Sequence, residues 1–595
     1  MATGQSIRPS QFITTYGPGS ILEGPDGPRV ISSLQLSEIY NGRNITDFEI
    51  TEQRLSASIG DNAGIIRIPS NAELGLAETE SIYKTKPFPM WSLCVKHGIL
   101  YKTRWGSREG CPQCPAEPNH FEAWKKARHE AIRFVRACPE GHMDDVDWVG
   151  MIDHSRAGCA PRYLKWEGGG GALKHVNIEC PLCKEKANLG LAYSRGWRCS
   201  GRLPEHGYST APCNSEARII QRGAANLRIP ELRSAITIPK LDTELHLILG
   251  KSVILTTLTL KEPKNKSELI QALELILQQG LISEQLLNQI QSVPEAALME
   301  AVEDVKNARI MGQTLMDDEF NELCKAAVRG APARPSPTPG TPPYFEVVRN
   351  DVKVFSGTNG LPVRVTPVSR LRVVLVQEGY RRMEQSINSI VPCYLNDGTR
   401  NWYPGVELFG EGIFIDLDSV DSFTPVNHPW LNGSDAIEWQ RAWSSYNNDN
   451  LPAMIRKRDY LHPVFVWWHT LSHRIINALS VDSGYSSAAV RERVYVKVDE
   501  RTGRASGGVL LYTVQPGGDG TLGGLIALVP QFDRILGIAL SDVDVCSNDP
   551  LCGDEKFGPG KCNGAACYAC LLISETSCEH RNMCLDRNLL AANLP

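Results

Sequence analysis

The chain lacks any apolar stretch long enough to cross a bilayer. Its most apolar short run is VFVWWHTL, at residues 464–471, whereas a membrane-spanning helix needs about 20 such residues. The N-terminal sequence MATGQSIRPSQF also lacks the basic region and the apolar run of a secretory signal. These two absences predict a cytoplasmic protein that makes no membrane contact.

An excess of positive charge and a nucleotide-binding loop are missing as well. The net charge of −5 and the pI of about 6.3 exclude a globally basic nucleic-acid binder, although not a local basic surface. The nearest sequence to a phosphate-binding loop is Gly250-Lys251-Ser252, but Leu245 stands where that loop requires its first glycine. We therefore expect no ATP hydrolysis by this chain alone.

Cysteine, in contrast, is abundant, with 18 residues. A length of 595 residues predicts two to four domains, and 42% hydrophobic with 22% charged residues is typical of a folded, soluble protein. Several cysteines are spaced as C-x2-C, which in a chain of this length favours metal sites in a reducing compartment over disulfides. Zinc is the metal expected.

The last part of the chain contains the densest group of cysteines. Cys567 and Cys570 form a C-x2-C knuckle, and two thiolates at this spacing can hold one tetrahedral ion. Cys552 upstream and Cys578 downstream would complete the site. Cys546, Cys562 and Cys584 are nearby competitors, and the sequence does not decide between Cys546 and Cys552. The alternative is a set of buried free thiols, which the knuckle spacing disfavours.

Residues 91–240 contain two further candidate zinc sites. The first is a ribbon-type set of three thiols and one imidazole: Cys94, His97, Cys111 and Cys114. The second has one knuckle and two spaced thiols: Cys180, Cys183, Cys199 and Cys213. Four residues between them either form another site or are buried thiols and hydrogen-bonded histidines: Cys138, His142, His154 and Cys159. We expect two to four structural zinc ions in all.

Sequence patterns divide the chain into five predicted segments. They are a β-rich region at 1–90, zinc modules at 91–240, a helical segment at 241–330, a proline-rich linker at 331–343 and a C-terminal domain at 344–595. In the helical segment Ser267 precedes apolar residues that recur every three or four positions, and the prolines of APARPSPTPGTPP exclude helix and sheet. The predicted fold class is α+β multidomain, with zinc-ribbon-like modules and a mixed α/β zinc-bearing C-terminal domain.

The C-terminal domain contains a predicted helix, Pro463–Leu479, with two histidines on one face. His469 and His473 lie four residues apart, but Thr470 stands where the H-E-x-x-H motif of metalloproteases has its glutamate. One interpretation is a polar cluster with Asp519 that faces a cleft. The other is a helix that packs through its aromatic side and forms hydrogen bonds through its histidines.

Three arginines recur in the segment QRGAANLRIPELRSAITIP: Arg222, Arg228 and Arg233. The planar guanidinium group is well suited to phosphate oxygens, so these side chains are candidates for contacts with nucleic acid. In a chain with a net acidic charge, the same arginines could instead pair with carboxylates. The sequence favours neither interpretation.

The stretch AACYACLLISETSCEHRNMCLDR resembles the zinc-bearing end of a domain that follows the motor of some superfamily-two DNA helicases. HTLSHRIINALS, GYSSAAVRERVYV and GGDGTLGGL extend this resemblance upstream. With its N-terminal half included, the chain resembles DrmB proteins, the motor-less subunits of the DISARM anti-phage defence system, outside residues 245–343. The resemblance implies an accessory subunit that forms a heterodimer with a DrmA-type helicase and helps to bind and position DNA.

Two alternatives belong to other functional classes. A stand-alone metal-dependent nuclease or hydrolase would draw on His469, His473, Asp519 or Glu575, but no paired-carboxylate motif and no nucleophile beside a base is present at a characteristic spacing. We therefore predict no catalytic residue. A pure assembly scaffold that never touches nucleic acid would need only the zinc modules and the acidic helices.

Overall fold

The computed structural model mixes helices with several β-sheets, which confirms the predicted α+β class. It describes residues 7–24, 27–77, 80–103, 111–114, 129–168, 171–207, 210–308, 314–332, 342–358, 360–383, 389–417, 437, 462–482, 486, 488–499, 501, 505–516, 524–557 and 561–595. Across these ranges, no helix has both the length and the hydropathy that crossing a membrane requires.

The strands are short in the first half of the chain, and the longest ones lie in the second half. In chain order they are β1 (Ile21–Gly24), β2 (Gly27–Ile31), β3 (Ala63–Arg67), β4 (Thr85–Pro87), β5 (Trp91–Cys94), β6 (Ile99–Lys102), β7 (His129–Ala131), β8 (Phe134–Ala137), β9 (Met143–Asp145), β10 (Tyr163–Glu167), β11 (Asn177–Glu179), β12 (Lys186–Asn188), β13 (Trp197–Arg198), β14 (Glu216–Gln221), β15 (Ile229–Ile236), β16 (Phe345–Val347), β17 (Lys353–Ser356), β18 (Pro362–Arg381), β19 (Val391–Pro392), β20 (Leu395–Asn396), β21 (Asn401–Leu417), β22 (Arg491–Val498) and β23 (Ala505–Pro516). The predicted strands VKVFSG, RLRVVLVQEG and GIFIDL fall in β17, β18 and β21.

Helices dominate the stretch where the sequence predicts a helical segment. In chain order the helices are α1 (Pro9–Thr14), α2 (Leu34–Ser37), α3 (Gln53–Ile59), α4 (Leu189–Ser194), α5 (Glu244–Leu249), α6 (Ser252–Lys261), α7 (Lys266–Gln278), α8 (Glu284–Ser292), α9 (Glu295–Asn307), α10 (Leu315–Arg329), α11 (Pro463–Asp482), α12 (Phe532–Leu540) and α13 (Arg587–Ala591). The cap of α7 is Asn265 rather than Ser267, because the Asn265 side chain accepts the Glu268 N–H at 2.9 Å.

The chain forms two compact units, each made of several separate stretches. Unit 1 comprises residues 1–48, 66–233 and 376–405, and unit 2 comprises residues 49–65, 234–375 and 406–595. The five predicted segments do not coincide with these units, and the residues on both sides of the predicted linker at 331–343 lie in unit 2. The difference arises because β15, β18 and β21 each have residues in both units, so the chain crosses between the units along strands.

Unit 1 is built from small antiparallel sheets. Their strand orders are β1-β2-β4, β12-β11-β10-β6-β5-β7 and β13-β14-β8-β9. Aromatic and aliphatic side chains such as Trp148, Leu164 and Ile178 form a buried core between the strands. Several cysteines stand at or directly after a strand end, Cys94 in β5 and Cys138 after β8 among them. Sheet pairing therefore decides which cysteines meet.

Unit 2 combines a helical cluster with an antiparallel ladder. The residues of α5–α9 share one apolar core, while β21, β23 and β22 pair in that order, with Ile413 opposite Leu511 and Val494 opposite Val509. Helix α11 packs against β22, β23, α12 and α13. Residues 463–473 of this helix are all buried, Trp467 and Trp468 included, because elements cover both its aromatic and its histidine faces.

Candidate metal centres

Five groups of metal-ligating side chains converge in the described part of the chain, and in each group the ligand atoms lie within 4.8 Å of one another. We name them the N-terminal cluster (Cys94, His97, Cys111, Cys114), the outer cluster (Cys138, His142, Cys199, Cys213), the inner cluster (His154, Cys159, Cys180, Cys183), the C-terminal cluster (Cys546, Cys552, Cys567, Cys570) and the histidine cluster (His469, His473, Glu492, Cys578). The first three lie in unit 1 and the last two in unit 2.

The N-terminal cluster unites the four residues that the ribbon-type spacing predicts. His97 Nδ1 lies 3.5 Å from the sulfur of Cys94 and 3.4 Å from that of Cys114, and these two sulfurs are 3.8 Å apart. A tetrahedral ion with zinc–sulfur bonds of about 2.3 Å places its sulfurs about 3.8 Å apart. The cluster therefore has the dimensions of a zinc site.

The predicted set of Cys180, Cys183, Cys199 and Cys213 is not found as one group. Cys180 and Cys183 belong to the inner cluster, whereas Cys199 and Cys213 belong to the outer cluster. The reason is sheet topology: Cys180 follows β11 of the six-stranded sheet, while Cys199 follows β13 of the four-stranded sheet. Cys138 and His142 therefore complete the outer cluster, and His154 and Cys159 complete the inner cluster.

The outer cluster forms where the β8–β9 hairpin meets the end of β13. The sulfur of Cys138 lies 3.4 Å from His142 Nδ1, and the Cys138 N–H donates to the His142 carbonyl at 3.1 Å, which closes the hairpin. The sulfur of Cys199 accepts the Gly201 N–H at 3.3 Å. Such N–H contacts to sulfur are typical of ligating thiolates.

In the inner cluster the histidine tautomer is fixed by a second contact. His154 Nε2 lies 3.1 Å from the Val149 carbonyl oxygen, which can only accept, so this nitrogen carries the proton. The other nitrogen, Nδ1, is left with its lone pair and faces the sulfur of Cys183 at 3.2 Å. The sulfurs of Cys159 and Cys180 are 3.5 Å apart. The imidazole is therefore oriented as a metal ligand.

The C-terminal cluster contains both Cys546 and Cys552, and it excludes Cys578. The sulfur of Cys567 lies 3.5 Å from that of Cys546 and 3.7 Å from that of Cys570. The sulfur of Cys552 lies 3.7 Å from that of Cys570. These distances fit four thiolates around one zinc ion. Cys578 was predicted as a ligand here, but the structure places it in the histidine cluster.

Burial disfavours the negative charge that these thiols need in order to ligate. It raises the pKa of Cys114 and of Cys138 to about 12, and that of Cys552 to about 11. Neighbouring sulfurs add to the effect for Cys114, because adjacent thiolates repel one another. Four ligands so close together are stable as thiolates only around a cation, which couples metal binding to folding.

Of the two interpretations of the histidines on α11, the structure favours the one in which they are buried and form hydrogen bonds over a polar group that faces a cleft. His469, His473 and Glu492 are each 0% exposed, and Cys578 is 4% exposed. Burial lowers the pKa of the His469 imidazole. The sequence analysis did not identify Glu492 as a member of this group, because β22 brings it to α11 from outside the histidine motif. Asp519 lies outside the described residues.

The three arginines predicted to contact nucleic acid all have partners within unit 1. Arg222 binds Glu23 at 2.7 Å and donates to the carbonyls of Ala131 and Ile132. Arg228 donates to the carbonyls of Thr15 and Pro18 at 3.1 and 2.9 Å. The guanidinium group of Arg233 lies 2.5 Å from the Glu378 carboxylate, and its side chain is 38% exposed. Internal pairing thus accounts for much of their hydrogen-bonding capacity.

Comparisons with known proteins agree with this geometry. Residues 8–229 match a family model described as a domain of unknown function, DUF8724, and residues 471–571 match the MrfA Zn-binding domain. The second match includes the whole C-terminal cluster. A DISARM protein DrmB from Bacillus paralicheniformis is 28% identical in an alignment of 541 positions that covers 85% of this chain and 89% of that protein. The resemblance inferred from the sequence is confirmed: the chain is similar to a DISARM DrmB protein over most of its length and carries a C-terminal zinc-binding domain.

Proposed function

We propose that the chain is an accessory, non-motor subunit of an anti-phage defence complex, which partners a DrmA-type helicase and helps to bind and position DNA. The observation that carries this proposal is the similarity to a DISARM protein DrmB along 85% of the chain and 89% of the relative. A match of this extent supports a shared role for the whole chain rather than for one module.

The metal clusters supply the rigidity that such a role requires. The N-terminal, outer, inner and C-terminal clusters each offer four ligands to one zinc ion, which leaves no open position for a substrate. Their zinc ions would therefore be structural. Each ion fixes a loop whose own core is small, so that the surfaces of the two units stay in place when a partner or DNA binds.

The buried histidines disfavour the alternative of a stand-alone hydrolase. A substrate in solution must reach the groups that act on it, and His469 and His473 are both 0% exposed. A closed metal site also keeps no position for the activated water that metal-dependent hydrolysis needs. The histidine cluster is thus better suited to holding unit 2 together than to hydrolysis.

The first test is DNA binding and ATPase activity across a salt series, with and without a co-expressed DrmA-type helicase. The pair should bind DNA more tightly than the helicase alone, and its affinity should fall steeply with salt because phosphate contacts release counterions. This chain alone should hydrolyse no ATP. Cleavage of DNA or turnover of nucleotide by this chain alone would contradict the proposal. Salt-insensitive behaviour of the pair would favour a scaffold.

A second test separates a DNA contact from an internal ion pair at Arg233. Arg233→Gln should lower the slope of log affinity against log salt by about one unit if the guanidinium group reaches a phosphate. The matched variant Glu378→Gln breaks the same ion pair but keeps the cation, so its slope should equal that of the parent chain. Equal slopes for both variants and the parent would assign Arg233 a purely internal role.

A further inference from the structure

The histidine cluster is independent of the four cysteine-rich clusters and shares no ligand with them. His469 Nε2 lies 2.8 Å from Glu492 Oε1 and 3.2 Å from the sulfur of Cys578. His473 Nε2 lies 3.2 Å from the same Glu492 oxygen. Four atoms of metal-ligand type therefore converge on one point in the interior of unit 2.

Both imidazoles are held so that their lone pairs face this point. His473 Nδ1 lies 2.9 Å from the Leu571 carbonyl oxygen, and His469 Nδ1 lies 3.3 Å from that of Cys584. A carbonyl oxygen only accepts, so each Nδ1 carries the proton, and a neutral imidazole has no second proton for Nε2. Each Nε2 is then an acceptor that faces the acceptor oxygen of the ionised Glu492 carboxylate, so neither of these two contacts has a donor.

The remaining two ligand atoms are held in place by hydrogen bonds. The sulfur of Cys578 accepts the backbone N–H groups of His580 and Asn582 at 3.3 and 3.2 Å. The second carboxylate oxygen of Glu492 accepts the Ser472 hydroxyl, so that only Oε1 is directed at the histidines. As metal ligands, the carboxylate and the thiolate would bring two negative charges into a buried place.

A divalent cation would account both for the Nε2 lone pairs that face Glu492 and for the negative charges of the buried ligands. Protonation of both imidazoles would instead place several ions in the interior of unit 2, and removing each of them from water is costly. A dication supplies the missing partner for two lone pairs, and it balances the charges of one carboxylate and one thiolate. Histidine nitrogen, cysteine sulfur and carboxylate oxygen are the ligand atoms that bind zinc in tetrahedral sites.

We propose that His469, His473, Glu492 and Cys578 bind a further zinc ion in a closed, structural site. The ion would join three parts of unit 2: α11 through the histidines, β22 through Glu492, and the segment after the C-terminal cluster through Cys578. The match to the MrfA Zn-binding domain ends at residue 571, before Cys578, and begins after His469. This site does not depend on the proposed role in defence.

Anomalous scattering at the zinc absorption edge tests the site in the unaltered full-length chain. Crystals of protein purified without chelator should show a zinc peak bonded to both Nε2 atoms, the Glu492 carboxylate and the Cys578 sulfur. A map with zinc peaks at the cysteine-rich clusters and none at this point would overturn the proposal. This measurement needs no variant, so it decides even where a substitution prevents folding.

Metal content provides a second, independent measurement. Cys578→Ala should lower the zinc bound per folded chain by about one equivalent, because one of four ligands is lost and the others are buried. The control Cys562→Ala changes a half-buried thiol outside all five clusters, so it should keep the zinc content of the parent chain. Parental zinc content in a folded Cys578→Ala protein would overturn the proposal.

Discussion

Cys567→Ser should release the zinc ion of the C-terminal cluster and unfold the surrounding segment. Cys567 contacts two other ligands of that cluster, at 3.5 Å for Cys546 and 3.7 Å for Cys570. Structural zinc contributes about 10–16 kcal/mol of binding free energy that is also folding free energy. Its loss is comparable to the whole stability of a typical domain, about 5–15 kcal/mol. Zinc content by mass spectrometry, with thermal unfolding followed by circular dichroism, measures the effect.

Cys562→Ser is the matched control for this substitution. Cys562 lies five residues earlier, is half-buried like Cys567, and belongs to none of the five clusters. Its variant should keep the parental zinc content and melting temperature to within a few degrees. If the Cys567→Ser protein also retained both properties, the cysteines of this segment would be ordinary core thiols and the metal assignment would fail.

Arg382→Met should destabilise unit 1 by about 3–5 kcal/mol, because it leaves the buried Glu205 carboxylate without its positively charged partner. Arg382 and Glu205 are both 0% exposed, with 3.0 Å between their charged groups. The same guanidinium group donates to the carbonyls of Gly19, Gly141 and Leu227. One side chain thus links four parts of unit 1. Urea unfolding, followed by intrinsic fluorescence, gives the change in free energy.

Two further variants show whether the cause is the buried charge. Arg218→Met removes an arginine that is 54% exposed and pairs with Glu216 on the surface, so it should cost less than about 1 kcal/mol. The double variant Arg382→Met/Glu205→Leu removes both charges and should recover a large part of the lost stability. A double variant no more stable than Arg382→Met would mean that the bonds to the carbonyls dominate.

Local spacing predicted which cysteine and histidine side chains converge better than it predicted how they group. The N-terminal cluster closes within one short hairpin region, so Cys94, His97, Cys111 and Cys114 were found together from the sequence. The inner and outer clusters depend on which strands share a sheet, and C-x2-C spacing contains no information about that. Cys578 was assigned to the nearest knuckle, because its partners on α11 and β22 lie about 85–110 residues earlier in the chain.

The long strands were predicted only in part for a similar reason. The apolar run in RLRVVLVQEG identified the end of β18, but its start contains Pro362, Arg364 and Pro367, and proline and unpaired charge are disfavoured inside a buried strand. Arg364 is buried there, and its charge is balanced by an ion pair with Asp416 in β21. The carboxylate that makes a buried arginine tolerable lies 52 residues away, beyond the reach of any local pattern.

The inner and outer clusters are nested along the chain, which has a consequence during synthesis. All four inner ligands, 154 to 183, lie between the first and second halves of the outer set. At about 5–20 residues per second, the inner set is complete roughly 1.5–6 s before Cys213 leaves the ribosome. Its loop is also shorter, which favours closure by roughly 0.8 kcal/mol. The growing polypeptide can therefore sequester Cys180 and Cys183 before Cys199 and Cys213 are synthesised, so that the order of translation favours this grouping.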